Sequence, residues 1–247
     1  MSDDLPNPAR PLKIGTRGSP LALWQAHETR RCLGEAFGLP EAAFEIVVIK
    51  VTGDAIQDKA LREIGGKGLF TREIEEALLE GSSDGGGIDI AVHSMKDMPT
   101  AQPEGLVLDC YLERADVRDA FVSPRYGSIA ELPRGAVVGS SSLRRRAQLA
   151  LRRPDLTLVE FRGNVQTRMR KLDEGVAEAT FLAMAGLTRL GMAQVARSAI
   201  APEEMLPAVA QGAIGIERRV ADGRVAGMLA RVHHGATGLR LAAERSF

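Results

Sequence analysis

Cysteine is nearly absent: the 247 residues include two, Cys32 and Cys110. That excludes a disulfide framework and fits a reducing compartment. Aromatic residues make up 4%, too few to line a stacking platform for single-stranded nucleic acid. Excess charge of either sign is absent too. The 32 basic and 32 acidic residues give a formal net charge of zero, so no global field draws the chain to nucleic acid or a membrane surface. The basic runs at 144–146 and 152–153 do not change that reading. No apolar run approaches the ~18 residues of a membrane helix. His93, His233 and His234 make no metal-ligand spacing with the two cysteines. The first eleven residues carry acids and prolines and no apolar core, so no signal peptide is expected. A cytoplasmic protein is the expectation, and no long apolar surface pattern argues against a monomer.

What is present is an ordinary globular composition, 45% hydrophobic and 26% charged. The length allows one large domain or two of about 100 residues. Strand-like runs at 13–16, 44–51, 88–92, 120–122, 137–139, 157–161, 180–183 and 213–217 alternate with helical patterns at 21–37, 68–80, 144–153 and 165–174. Such alternation predicts α/β units with mostly parallel sheets. The segment 99–103 (PTAQP) reads as a crossing between two lobes and 202–207 as the return. No internal repeat is visible. A helix is expected over 236–247. Cys32 falls on the core side of its helix, and Cys110 ends an apolar run, so both read as packing residues.

Open α/β sheets bind ligands at the carboxyl ends of their strands, so the residues that follow each strand carry most information. They are Thr16–Ser19, then His93 to Asp97, then Ser140 to Arg146, then Arg162 to Arg168, and Arg189 after the run at 180–183. Hydroxyls and free amides at helix starts bind anions, and arginine grips carboxylate or phosphate with two prongs. A neutral chain that gathers bases at one rim is predicted to bind a ligand with several negative groups. Taken singly, each element also reads as a helix cap or a solvated face. Asp97 is the exception in sign. Beside Lys96, spacing alone favours a surface pair worth little; among cations, a carboxylate can also steady a developing positive charge or move a proton. Gly65-Gly66-Lys67-Gly68 lacks the hydroxyl residue of a nucleotide-binding loop, which leaves Lys67 on a glycine-rich loop, available to an anion.

Seven segments, in order, resemble the hydroxymethylbilane synthase (porphobilinogen deaminase) family. They are Thr16-Arg17-Gly18-Ser19-Pro20-Leu21-Ala22, Gly65-Gly66-Lys67-Gly68-Leu69-Phe70, His93-Ser94-Met95-Lys96-Asp97, Gly139-Ser140-Ser141-Ser142-Leu143-Arg144-Arg145, Arg162-Gly163-Asn164-Val165, Ala185-Gly186-Leu187 with Arg189, and Leu206-Pro207-Ala208-Val209 with Gln211-Gly212. Ser140 stands where the family often has threonine, which keeps the hydroxyl, and the 81–87 loop looks longer than usual.

The resemblance implies α/β architecture with two lobes like those of periplasmic binding proteins, lobe 1 at 10–103 and 208–230 and lobe 2 at 104–207. Residues 231–247 would begin a small third α+β domain. It implies head-to-tail condensation of four porphobilinogen molecules to hydroxymethylbilane with release of ammonia, in tetrapyrrole biosynthesis, primed by a dipyrromethane cofactor held through a thioether. Carried over by position, Asp97 would be the catalytic carboxylate. Arg17, Ser19, Lys96, Arg144, Arg145, Arg162, Arg168 and Arg189 would bind pyrrole carboxylates. Ser141, Ser142 and Gly163 would add hydroxyl or backbone donors, and Lys67, Gln211 and Gly212 would lie at the cleft. The attachment cysteine is expected after Ala243-Glu244-Arg245, and neither Cys32 nor Cys110 matches it. A chain truncated before that cysteine is therefore expected. The alternative is an inactive fragment or binding module that holds porphobilinogen-like polycarboxylates without turnover.

Overall fold

The computed structural model describes residues 5–55, 71–81 and 86–246. Among them ten strands form two sheets. In chain order they are β1 Leu12–Thr16, β2 Phe44–Val48, β3 Ile90–Ser94, β4 Leu106–Tyr111, β5 Asp119–Val122, β6 Val137–Gly139, β7 Thr157–Val159, β8 Ala179–Ala183, β9 Ser198–Ile200 and β10 Ile214–Arg219. The first sheet has the order β2-β1-β3-β10-β4 and the second β7-β6-β8-β5-β9. The chain divides into two compact units. One runs to Arg114 and resumes at Ala213; the other takes Ala115–Gly212.

The two sheets share one topology. β1 pairs in parallel with β2 and β3, and β6 with β7 and β8. β10 is antiparallel to both its neighbours, and so is β5. Each reversed strand is the first that the chain lays down after crossing into that unit. The sheets are thus mixed rather than mostly parallel, because the crossing strand enters from the opposite end.

The first unit holds two apolar layers. Leu12, Ile14, Ile90 and Val92 face the helix Pro20–Phe37 through Ala26 and Leu33. On the other side Ile88 and Ala91 meet Ile74 and Leu78 of the helix Arg72–Glu80. Pro20–Phe37 begins where its sequence says it should. The Ser19 side chain accepts from Ala22 N, Pro20 occupies the first turn, and Gly38 at φ 64° closes the helix. In the second unit β5 alternates, Phe121 into one layer with Phe181 and Leu149, Ala120 and Val122 into another with Phe161 and Leu172. Gly139 is required at the end of β6, since a Cβ there would lie 2.4 Å from the Phe161 ring.

Four expected boundaries move. Residues 104–111 were assigned to the second lobe, yet β4 pairs with β10 in the first sheet. Leu106, Leu108 and Cys110 turn inward while Asp109 turns out to pair with Arg218, an alternation that marks a strand. The crossing therefore follows β4 rather than falling at 99–103, and residues 208–212 belong to the second unit. The segment expected to open a third domain also groups with the first unit. Its helix Gly235–Arg245 buries Leu241 and Thr237, Glu244 pairs with Arg114, and His234 N donates to Tyr111 O at 2.8 Å. The strand expected over 157–161 stops at Val159. Phe161 N donates instead to Ser141 Oγ at 2.8 Å, and the ring enters the core.

Candidate functional site

In the first unit a cleft open to solvent lies at the carboxyl ends of β1 and β3. Arg17 and Ser19 come from the turn after β1, Ala22 and Gln25 from the first turns of Pro20–Phe37, and His93, Ser94 and Asp97 from the end of β3. The wall is braced. Gln25 Nε2 donates to Ser94 Oγ at 2.8 Å, and the Thr16 hydroxyl donates to Ala22 O at 3.2 Å. Asp97 sits on a tight 3-10 turn, Met95–Asp97, fixed by Met95 N to Ala213 O at 3.1 Å and Met98 N to Met95 O at 3.2 Å. Of the predicted site residues in this unit, the structure brings Arg17, Ser19 and Asp97 to one cleft. Lys96 is half-buried on the same turn and is not part of the lining. Lys67 lies outside the described residues.

The second unit gathers its predicted residues around a buried carboxylate that sequence reading missed. Asp119, at the start of β5, is fully buried. Its Oδ1 accepts from Arg145 Nη2 at 2.7 Å and from Gln211 Nε2 at 2.9 Å, and its Oδ2 lies 2.7 Å from Arg144 Nη2. Burial pushes the Asp119 carboxyl up, but Arg145, Arg144 and Gln211 outweigh it and hold it below the usual range. Arg145 also donates to Phe181 O at 2.7 Å and Gln211 to Val117 O at 2.7 Å. With the Arg145 side chain 7% exposed, both donors are directed inward, where Asp119 and backbone carbonyls engage them. Arg144 is more open, at 23%.

The serines following β6 are helix furniture first. Ser142 caps the helix Leu143–Arg152, accepting from Arg145 N, and Ser141 accepts from Phe161 N. A hydroxyl that accepts still has its proton to donate. Arg168 Nε donates to Gly163 O at 2.9 Å, and Arg189 Nη2 to Gly212 O at 2.7 Å. Gly163 at φ 120° and Gly212 at φ 87° occupy backbone that favours glycine. Arg162 is half-buried on the turn before the helix Val165–Asp173.

Whether these residues suit a polycarboxylate can be tested on their unused donors. The Nε atoms of Arg144 and Arg145 are buried with no hydrogen-bond partner among the described residues, and the Ser141 and Ser142 protons remain. The donor set fits carboxylates. A thioether is another matter. Cys110 is buried, its thiol donates to Leu229 O at 3.5 Å, and burial pushes it up to about 12. Cys32 lies half-buried on Pro20–Phe37. Neither lines the cleft.

Structural neighbours define the class. The periplasmic VFT2 domain of BvgS from Bordetella pertussis aligns with a TM-score of 0.53 at 15% identity, covering 100% of this chain and 94% of that one. A putative methionine-binding lipoprotein from Bacillus subtilis gives 0.52 at 12%, covering 93% and 92%. The chain therefore has the fold of periplasmic binding proteins. Within that class, the family model "Porphobilinogen deaminase, dipyromethane cofactor binding domain" matches residues 12–227. The chain belongs to the porphobilinogen deaminase family. It is 69% identical over 243 residues to the porphobilinogen deaminase of Paracoccus denitrificans (98% of this chain, 76% of the relative). It is 58% identical over 238 residues to the chloroplastic porphobilinogen deaminase of Oryza sativa (96% of this chain, 65% of the relative).

Proposed function

We propose that the chain acts as a hydroxymethylbilane synthase, a transferase of tetrapyrrole biosynthesis that joins four porphobilinogens head to tail with loss of ammonia. The observation that carries the reading is Asp97, set on a braced turn in a cleft it shares with Arg17 and Ser19. As ammonia departs, positive charge grows on the pyrrole nitrogen of porphobilinogen. A fixed carboxylate steadies that charge more than water does, because it needs no reorganisation. Arg17 and the Ser19 hydroxyl take substrate carboxylates in the first unit. In the second, Arg144, Ser141, Ser142, Arg162, Arg168 and Arg189 do the same. Gly163 and Gly212 let backbone approach closely, and Lys96 adds charge near the Asp97 turn. Dipyrromethane, when bound, supplies the pyrrole end to which each new unit is joined, and the unused donors around Arg144 suit its carboxylates. A binding module without turnover is not favoured, since relatives at 69% and 58% identity bear the enzyme's name.

We read the protein as a cytoplasmic monomer that works without nucleic acid or membrane. Zero net charge and two free cysteines support this, and no helix among the described residues is long and apolar enough to cross a membrane.

The test is Asp97→Ala, assayed for ammonia release from porphobilinogen. Turnover falls by about 10²-fold or more while circular dichroism stays unchanged. Near-normal turnover would remove the mechanism. Intact mass of the denatured protein adds a second check, since two extra pyrrole units mark covalent cofactor.

A further inference from the structure

Beneath the cleft floor lies a cluster of titratable groups that the mechanism above does not use. On β3, Ile90 and Val92 face the helix Pro20–Phe37, so Ala91 and His93 face the opposite layer, under the helix Arg72–Glu80. On β10, Gly215 stands opposite His93 and Glu217 opposite Ala91. His93 and Glu217 are therefore diagonal neighbours on one face. His93 Nε2 lies 3.1 Å from Glu217 Oε2, with side chains 5% and 0% exposed. Glu75 comes down from the helix, buried to 9%. Burial pushes its carboxyl up, and Glu217 adds to the shift. Neither Glu217 Oε1 nor Glu75 Oε1 has a hydrogen-bond partner among the described residues.

Two acids and one imidazole are poor company for Val51, Ile74, Leu78 and Ile88. Burying such groups among apolar side chains is costly unless they are paired, and the unpartnered oxygens of Glu217 and Glu75 leave that pairing incomplete. His93 belongs both to this cluster and to the cleft lining. We propose that His93, Glu217 and Glu75 form a buried proton relay that opens onto the Asp97 cleft through His93, with Glu217 as the residue that positions the imidazole. Glu217 holds Nε2–H, which leaves Nδ1 to exchange a proton with the cleft. The groups facing His93 are Glu217 from β10, Glu75 from the helix, and Arg17 and Asp97 across the cleft.

The proposal rests on the condensation reading and gives its protons a route. In each condensation the bond from carbon to the aminomethyl nitrogen breaks, and its electron pair leaves with ammonia. A carbon–carbon bond forms, and the pyrrole carbon that forms it loses a proton. Ammonia and that proton leave together as ammonium. The relay takes up the carbon's proton through His93 once the new bond has formed and passes it to the cleft, where the ammonia already freed accepts it as ammonium.

The experiment uses the holoenzyme, with Glu217→Gln and His93→Gln. Its readouts are kcat and KM across pH and the ¹H–¹⁵N spectrum of the His93 ring. Wild type shows one fixed tautomer with Nε2–H bonded, and Glu217→Gln loses it. Both variants lower kcat by about 10²-fold with KM within about twofold, and the pH profile of Glu217→Gln shifts. His93→Gln carries the kinetic test by itself if Glu217→Gln does not fold. Wild-type kcat and pH profile in the variants overturn the relay, and so does a change confined to KM. If wild type releases no ammonia from porphobilinogen, the functional reading fails instead. The ring spectrum then still decides the pair, since a mixed tautomer in wild type overturns it.

Discussion

Replacing Asp119 by alanine strands two guanidiniums. The Arg145 side chain is 7% exposed and that of Arg144 23%, so neither can turn fully to water. Gln211 loses an acceptor as well. Removing one partner of a buried ion pair costs about 3–5 kcal/mol, because the remaining charge is left uncompensated. At roughly 4–8 °C per kcal/mol for a unit of about 100 residues, the second unit should melt about 12–40 °C lower. A chain of two units need not unfold in one step, and the single tryptophan, Trp24, lies in the first unit. Hydrogen exchange read over β5 and the helix Leu143–Arg152 is the suitable assay. A loss of protection below about 1 kcal/mol in those segments would refute the assignment of Asp119 as the hub. Acid supplies the matching control. Arginine partners hold the Asp119 carboxyl low in spite of burial. A depressed carboxylate contributes its full stability above its unfolded value of about 3.9. That contribution is lost as pH falls through the folded value, so wild type and variant should converge in strong acid.

Two further substitutions follow from the geometry. Gly212→Ala forces a side chain onto φ 87° with its Cβ 2.6 Å from Ala115 O; chemical denaturation should show a loss of about 1–3 kcal/mol. Glu75→Gln should act in the opposite sense at high pH. Burial raises the Glu75 carboxyl in the folded chain, so wild type loses stability as pH climbs from the unfolded value of about 4.3 through the raised one. The variant should be the more stable of the two at pH 8, with the gap closing below pH 4, as melting curves at both values will show.

Local signals were legible and long-range ones were not. Ser19 and Pro20 announce their helix, and Ser142 and Asn164 announce theirs by the same capping chemistry. The rule that ligands meet strand ends found Arg17, Ser19 and Asp97 together. It also found Arg145, and the family resemblance supplied Gln211; both donate to an acid that lies 26 and 92 residues away. Asp119 itself follows Arg118 in a polar stretch and carries no mark of burial. His93 was visible at a strand end but not as half of a buried pair, since Glu217, its partner, is 124 residues distant. A hint existed: an acid inside the apolar run Ile214-Gly215-Ile216-Glu217 needs a partner. Strand direction was the other blind spot. β5 and β10 look like their neighbours in composition, and only the crossing of the chain reverses them.

The electrostatics of the helix starts show why the rim suits an anion even where single residues prove structural. Helix N-termini carry partial positive charge, and proteins usually set acids there. The helices Pro20–Phe37, Leu143–Arg152 and Val165–Asp173 each follow a strand end, and none has an acidic residue in its first turn. Their caps are neutral: Ser19, Ser142 and Asn164. Leu143–Arg152 goes further, with Arg144 and Arg145 in its first turn against the dipole. Elsewhere, Arg72–Glu80 begins with Glu73 and Glu75, and Asp222 caps Gly223–Leu229, which follows the antiparallel β10; Gly235–Arg245, capped by His234, departs from that contrast. A local rule broken repeatedly at one kind of place marks function rather than stability. Asp119 makes the breach tolerable, since one buried carboxylate neutralises one of two arginines and leaves the other's charge for a ligand. The second unit thus presents net positive charge at its helix start without unfolding itself, while the first offers Asp97 as an acid beside Arg17. Under the proposed function Arg17 takes a carboxylate beside Asp97 at one strand end and Arg144 takes one at another, as holding a polyanion through a cationic transition state requires.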